Sequence, residues 1–298
     1  MLRRDNVSKT VQFCPLCGSR RNKFFEQCWF RDRLVVNRVC LDCGLVFQSP
    51  CMDDQEREAF YATEYRLLNE GSATPTSFNT AVQNARAESL TAFIKPITNK
   101  IINHLDIGCS MGILLNTFER VYHCHSFGVE PGEEHRNYAC KAGLTVYASL
   151  EELEQSKSVR FDLISMTHVL EHIPDPVEYL VHLRKTLLEP TGWLLIEVPN
   201  LYAHDSFEPA HLVAYSAHTL RQTLEKAGFE IVRLEKHGRP RSAWLPLYIT
   251  LLARPRSGYQ GVFRLNPERN VALKRRAGMF RRRVLERLFP RWVWNAIT

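Results

Sequence analysis

No apolar run in this chain approaches the roughly 18–20 residues that a membrane-spanning helix needs, so a helical membrane protein is not expected. The opening residues MLRRDNVSKT carry charge, but no apolar stretch follows them, which argues against a secretory leader. A cytoplasmic chain keeps its thiols reduced, and the nine cysteines therefore read as metal ligands or buried thiols, not as a disulfide framework. Extremes of composition are missing as well. Hydrophobic residues at 45% and charged residues at 24% are those of a globular protein, which excludes wholesale disorder. At 298 residues there is room for one α/β domain and a small module at either end.

The net charge of +7 is not spread through the chain. From Arg254 to Thr298 there are twelve Lys or Arg against two Glu, so everything before that segment carries about −3. The basic character belongs to a tail, which suits phosphates, an anionic membrane surface or an acidic partner.

Two CxxC pairs stand near the start, Cys14-Pro-Leu-Cys17 and Cys40-Leu-Asp-Cys43. Each is followed at once by a glycine, Gly18 and Gly44, and twenty-two residues separate the pairs. Each pair can wrap two thiolates round one side of an ion, with the glycine permitting the tight turn beyond, and two such knuckles complete a tetrahedral S4 site. The alternation in the second half of FFEQCWFRDRLVVNRV suits ribbon strands, so residues 12–48 read as a zinc ribbon. Four thiolates leave no open position, and the zinc is expected to hold structure. Four unrelated buried cysteines, or a redox role for the pairs, are the alternatives. Cys28 and Cys51 fall outside the pattern and read as ordinary thiols.

Residues 51–98 read as helical segments broken by a polar linker near Gly71 to Thr76, packed over the mouth of the next domain. Tyr61 and Tyr65 share a helical face there, either as core or as a cover for a ligand such as a cofactor. From Ile101 to Ile107 a short strand leads into Asp106-Ile-Gly108-Cys109-Ser110-Met111-Gly112, and ILLNTFERVY then has helical spacing. Strand, glycine turn and helix in that order let backbone N–H groups meet a ligand at the helix start. Ser110 and Ile113 stand where the dinucleotide fingerprint needs glycines, which weakens a nicotinamide reading. The next strand, Ser126 to Glu130, ends in a carboxylate about twenty residues past the turn, placed to accept both hydroxyls of a ribose. Another helix (133–142), a strand near 144–147 and a strand at Phe161–Met166 continue a βαβαβ alternation, which implies a parallel sheet.

LDIGCSMG, the GVEP strand end, FDLISMTHVLEHIPDP, GWLLIEVPN and the later AGF together resemble the class I S-adenosylmethionine-dependent methyltransferases, in that family's order, over residues 101–230. The resemblance implies a Rossmann-like, doubly wound, mostly parallel seven-stranded sheet. With the CxxC pairs, the helical pattern of 51–98 and the basic run at the end, the chain divides into a ribbon (1–50), a helical linker or lid (51–98), a cofactor domain (99–253) and a basic tail (254–298). Carried over by position, Asp106, Gly108, Cys109, Ser110 and Gly112 line the methionine end and ribose side of S-adenosylmethionine, and Glu130 takes the ribose. Ser149 and Leu150 fall by the adenine, and Thr167 and His168 near the sulfonium. Many relatives have glycine where this chain has Ser110. A Rossmann-like domain for another nucleotide and a non-catalytic relative that keeps the fold are the competing readings. The ribbon ahead of the domain is similar to that of bacterial methyltransferases acting on sugars or polysaccharide precursors, which implies a sugar, glycolipid or other small-molecule acceptor.

Methyl transfer from a sulfonium chiefly requires alignment and exclusion of water, and an oxygen or carbon acceptor gains from a base. His168, His172 and His211 are the candidates, His172 being expected to order its loop and His211 to face the acceptor or to pack. His204, Asp205 and Tyr215 share the segment of His211 and rank lower. An RNA acceptor ranks below a small molecule, because EVPNLYAHD has no proline-proline-tyrosine motif for base amines. AWLPLYITLLA suits a last strand or a buried helix. In the tail, Ala277, Phe280, Val284 and Leu288 share one face of an arginine-rich helix followed by Trp292 and Trp294. Such a helix suits peripheral contact with an anionic membrane, or docking on its own domain.

Overall fold

The computed structural model describes residues 8–63, 76–98, 100–156, 159–205 and 207–296. Strand β1 (Ser8–Lys9) pairs with β5 (Cys51–Met52). Between them, β2 (Asn22–Phe30), β3 (Arg33–Cys40) and β4 (Val46–Gln48) form an antiparallel ribbon. Helices α1 (Asp54–Thr63) and α2 (Ser77–Ile94) follow. The Thr76 side chain accepts a hydrogen bond from the Asn79 N–H and so starts α2.

The α/β unit then runs β6 (Asn103–Ile107), α3 (Ile113–Tyr122), β7 (His125–Val129), α4 (Glu133–Lys141), β8 (Thr145–Tyr147), α5 (Leu150–Ser156), β9 (Phe161–Thr167), α6 (Pro176–His182) and β10 (Leu188–Pro199). It closes with β11 (Val213–Ala214), α7 (Ala217–Lys226), β12 (Phe229–His237) and β13 (Tyr248–Pro255). The seven-stranded sheet has the order β12-β13-β10-β9-β6-β7-β8. Pairings from β8 through β10 are parallel, and β13 is antiparallel to both of its neighbours. This is the mostly parallel, doubly wound sheet expected from the sequence. The AWLPLYITLLA run supplies a strand: residues 248–253 are buried on both faces of the sheet, which explains why it has no alternation.

Helix α2 packs against the sheet as part of this unit. Leu90, Phe93 and Ile94 share a core with Phe118, Leu163, Leu195 and Leu252. The ribbon is likewise joined to it. Cys14, Leu16, Cys43, Leu45 and Phe47 lie in the same buried cluster as Leu105, Ile164, Leu194, Leu220 and Phe229. Strand β11, from the α/β unit, adds to the ribbon sheet through Val213 opposite Phe47.

Beyond β13 the chain crosses back to the ribbon, where Glu268 N donates to Cys43 O, and then forms α8 (Val271–Leu288) and α9 (Pro290–Val293). Helix α8 docks by a different face from its apolar stripe. Arg275 Nη1 donates to Leu201 O and His204 O at 2.6 and 2.7 Å, and Arg282 Nη1 to Ala203 O. Gly278 lies so close to the Tyr202 carbonyl that an added Cβ would stand 1.9 Å from its oxygen. Ala277, Phe280 and Leu288 remain exposed, because polar caps on the carbonyls of 201–204 turn the helix the other way. No helix among the described residues is long and apolar enough to cross a membrane.

Candidate functional site

After β6 the chain winds to one side through β7 and β8, then returns to the other side at β9. The carboxyl ends of β6 and β9 therefore flank a crevice, the usual position for a ligand in an open α/β sheet. A cavity of about 560 Å³ opens there. Asp106, Gly108, Cys109, Ser110, Glu130, Ser149, Leu150, Thr167, His168 and His172 all line it.

The turn after β6 depends on left-handed backbone. Gly108 and Gly112 both have φ of +76°, and Ser110 has φ of +51°. Glycine suits the position of Ser110 on steric grounds; here Ser110 Oγ accepts a hydrogen bond from Gln83 Nε2 at 3.1 Å. A Cβ on Gly108 would stand 2.5 Å from a Val169 methyl. Gly112 sits apart from these lining residues. It does not line the cavity but closes the turn from behind, where a Cβ would meet Leu144 Cδ1 at 2.2 Å.

Glu130 braces the turn. Its Oε2 accepts from Ser110 N at 2.9 Å and its Oε1 from Gly132 N at 2.8 Å. A carboxylate offers about four acceptor positions, so these bonds leave capacity for hydroxyl donors. Asp106 is fully buried and accepts from Ser165 Oγ at 2.6 Å. Burial pushes its carboxyl up to about 7, against the pull of the Ser165 hydrogen bond.

His168, also in left-handed backbone with φ of +56°, stands between two buried carboxylates. Its Nδ1 is 3.4 Å from Glu171 and its Nε2 is 3.5 Å from Glu197. Burial alone would raise both carboxyls. His168 with His172 and His211 lowers Glu171, and His168, His237 and Arg86 lower Glu197 well below the usual range. His172 donates from Nδ1 to Ala210 O at 3.0 Å, which ties the 3₁₀ turn after β9 to the loop before β11. Burial, then His211, pushes its imidazole down to about 4, so it is neutral near pH 7.

His211 does not line the cavity. It stands behind His172, ring centroids 4.8 Å apart, with Nε2 bonded to Glu208 at 2.6 Å. His204 is half-buried against Tyr248, and Tyr215 is buried within the shared core. Tyr65 lies outside the described residues, as does the 71–75 part of the expected linker.

Sequence reasoning missed Arg57, Gln83 and Arg86 as lining residues. Arg86 Nε lies 2.9 Å from Glu197, and its guanidinium sits over Tyr248. Arg57 reaches the cavity from α1 and Gln83 and Arg86 from α2, and only the tertiary placement of these helices reveals them, since no motif surrounds them.

The four ribbon thiols converge, with Cys14 and Cys43 sulfurs 3.5 Å apart and Cys17 and Cys40 sulfurs 3.5 Å apart. All four lie within 4.8 Å of one another. Tetrahedral zinc at about 2.3 Å from each sulfur sets sulfurs about 3.8 Å apart, so the donor set fits that ion. The two knuckles are alike: Gly18 N donates to Cys14 O and Gly44 N to Cys40 O. This four-cysteine cluster can hold structural zinc.

Residues 78–234 match the family described as "Methyltransferase domain". Among curated relatives, the ubiquinone biosynthesis O-methyltransferase of Haemophilus ducreyi is 28% identical over 142 residues, 44% of this chain and 58% of the relative. That of Actinobacillus pleuropneumoniae serotype 7 is 31% identical over 107 residues, 32% of this chain and 45% of the relative. The chain spans about half the length of the curated relatives it matches. Among solved structures, the Burkholderia thailandensis 1,6-didemethyltoxoflavin-N1-methyltransferase, with bound S-adenosylhomocysteine, superposes with a TM-score of 0.56. It is 18% identical, with 78% of this chain and 100% of that one covered, a likeness of fold.

Proposed function

Since this chain belongs to the methyltransferase-domain family, in the class I fold of S-adenosylmethionine-dependent enzymes, we propose that it transfers a methyl group from S-adenosylmethionine to an oxygen of a small-molecule acceptor. The observation that carries this reading is the cavity at the β6/β9 switch point, walled by the Gly108–Ser110 turn and by Glu130. In it, Asp106, Gly108, Cys109 and Ser110 frame the methionine end and ribose side of the cofactor, with Gly112 supporting the turn from behind. Glu130 takes the ribose hydroxyls, Ser149 and Leu150 border the adenine, and Thr167 and His168 face the reacting sulfur. The cofactor supplies an activated methyl group, and the protein orients the acceptor and keeps water out. His168 is the base nearest the cofactor end, with His172 and His211 behind it.

An oxygen acceptor is supported by the relatives named O-methyltransferases. A sugar or glycolipid is the acceptor class to examine first, because the tail offers a way to meet lipid-linked substrates. On α8 and beyond, Phe280, Leu288 and Trp292 are 65%, 64% and 71% exposed beside Arg281, Arg283, Arg287 and Arg291, which suits peripheral contact at the cytoplasmic membrane face. The ribbon with its structural zinc serves as a scaffold.

Calorimetric titration of zinc-replete protein with S-adenosylmethionine and S-adenosylhomocysteine tests the cofactor assignment. Saturable binding, weakened by Glu130→Ala and by Gly108→Arg, is expected. Absence of binding by folded wild-type protein would overturn it.

A further inference from the structure

Beside the cavity, the 3₁₀ turn after β9 and the loop before β11 bring Glu171, His172 and His211 together. One ligand atom from each lies within 4.8 Å of the other two. Glu171 is 1% exposed, and both of its carboxylate oxygens are buried without a hydrogen-bond donor among the described residues. Histidine nitrogens approach without closing a bond: His168 Nδ1 at 3.4 Å and His211 Nε2 at 3.9 Å. A buried carboxylate in this state is costly unless a cation or donor completes it.

The histidines are arranged to complement a cation. His172 Nδ1 donates to the Ala210 carbonyl, which leaves the lone pair on Nε2. A backbone carbonyl on one ring nitrogen is the usual second contact of a metal-binding imidazole. His211 Nε2 faces two carboxylates at once, Glu208 at 2.6 Å and Glu171 at 3.9 Å. Two imidazoles and a carboxylate form a mixed nitrogen and oxygen set suited to Zn²⁺ or Mn²⁺ and unsuited to an ion that demands oxygen alone.

We propose that Glu171, His172 and His211 bind a divalent transition-metal ion, distinct from the zinc of the four-cysteine cluster, with Glu208 within reach as a fourth donor. His172 lines the cavity, so positions left open by the protein donors are reached from it. The ion takes the Nε2 lone pair of His211, so the ring coordinates as neutral imidazole with its one proton on Nδ1, and any second ring proton leaves to solvent. An acceptor hydroxyl bound to the ion would lose its proton more readily, a role that rests on the methyltransferase reading.

Mn²⁺ is the probe of choice, since a tetrathiolate site does not favour it. Full-length protein with its tetrathiolate zinc in place is titrated with Mn²⁺ by electron paramagnetic resonance, and separately with S-adenosylhomocysteine. About one Mn²⁺ per chain is expected, with affinity at least ~10-fold lower in Glu171→Gln and in His211→Asn. Circular dichroism checks that each variant is folded. Folded wild-type protein that takes up neither Mn²⁺ nor a second Zn²⁺ overturns the proposal, as does uptake unchanged in both variants. Metal uptake without S-adenosylhomocysteine binding would count against the cofactor assignment and leave the metal site standing.

Discussion

The Ser165 hydroxyl donates to the buried Asp106 carboxylate at 2.6 Å, linking the end of β6 to β9 inside the cavity wall. His104 Nε2 lies 2.8 Å from the same hydroxyl and its Nδ1 3.2 Å from Ser126 Oγ, so a buried polar chain runs across three strands. His104 is itself held neutral, pushed down to about 3 by burial. In that state Nε2–H can donate to Ser165 while Ser165 donates to Asp106, and every link is satisfied.

Asp106 has a folded pKa of about 7, above its ordinary value of 3.8. The folded protein therefore binds a proton that the unfolded chain has released, and stability falls as pH rises from about 4 to about 7. Asp106→Asn should abolish that slope and raise the melting temperature of cofactor-free protein at pH 8, while weakening S-adenosylmethionine binding. A cationic cofactor favours the ionised carboxylate, so binding near pH 6 should release a proton. Calorimetry in buffers of different ionisation enthalpy measures it, and no proton release would contradict this role for Asp106.

Arg86 pairs at 2.9 Å with Glu197, which is almost wholly buried and also accepts from Thr250 Oγ1 at 2.8 Å. Arg86→Met leaves the carboxylate short of its cation and should cost on the order of 3 kcal/mol. Glu197→Gln in the same chain should restore most of it. Denaturant unfolding of the single and double variants checks the coupling, and simple additivity would show that the pair is not energetically linked.

Zinc removal should destabilise more than the ribbon. Cys14, Cys43 and Leu45 belong to the same buried cluster as the sheet residues Leu105 and Ile164, and Glu268 joins the ribbon to the rest, accepting from Ser216 Oγ and from Tyr202 OH. Cys43→Ser should lower zinc content to well below one per chain and shift the main calorimetric transition by about 10 °C. An unchanged main transition would mean that the ribbon folds on its own.

The exposed apolar residues of the tail should carry membrane contact while Arg275 keeps the helix docked. Combined Phe280→Ser, Leu288→Ser and Trp292→Ser is expected to reduce co-sedimentation with anionic vesicles roughly 10-fold. Neutral vesicles, or about 0.5 M salt, should weaken wild-type binding as well. Equal binding to neutral and anionic vesicles would contradict an electrostatic contribution.

The Gly108–Gly112 turn and the acidic end of β7 were legible because backbone chemistry restricts which residues can stand there. Gly108 requires left-handed backbone beside Val169, and a carboxylate twenty residues on meets the Ser110 amide. Both CxxC pairs were legible for a similar reason, since thiol spacing and turn glycines are local. Gln83 and Arg86 were not, because nothing in their own segment marks them and only packing of α2 over β10 and β13 brings them to the cavity. Gly112 was assigned to the cavity from sequence, yet the helix it begins turns it toward Leu144.

The sequence by itself determined the βαβ alternation, the glycine turn and its carboxylate, and the four-cysteine set, all of which are local patterns acting over a few residues or one crossover. Tertiary structure alone decided that β13 is an antiparallel strand, that β11 joins the ribbon sheet, and that Arg275 and Gly278, not the apolar stripe, seat the tail helix. It also decided that Glu171, His172 and His211 converge. Those outcomes depend on contacts between residues about 40 to more than 150 positions apart, whose energies arise from burial and pairing that periodicity cannot express.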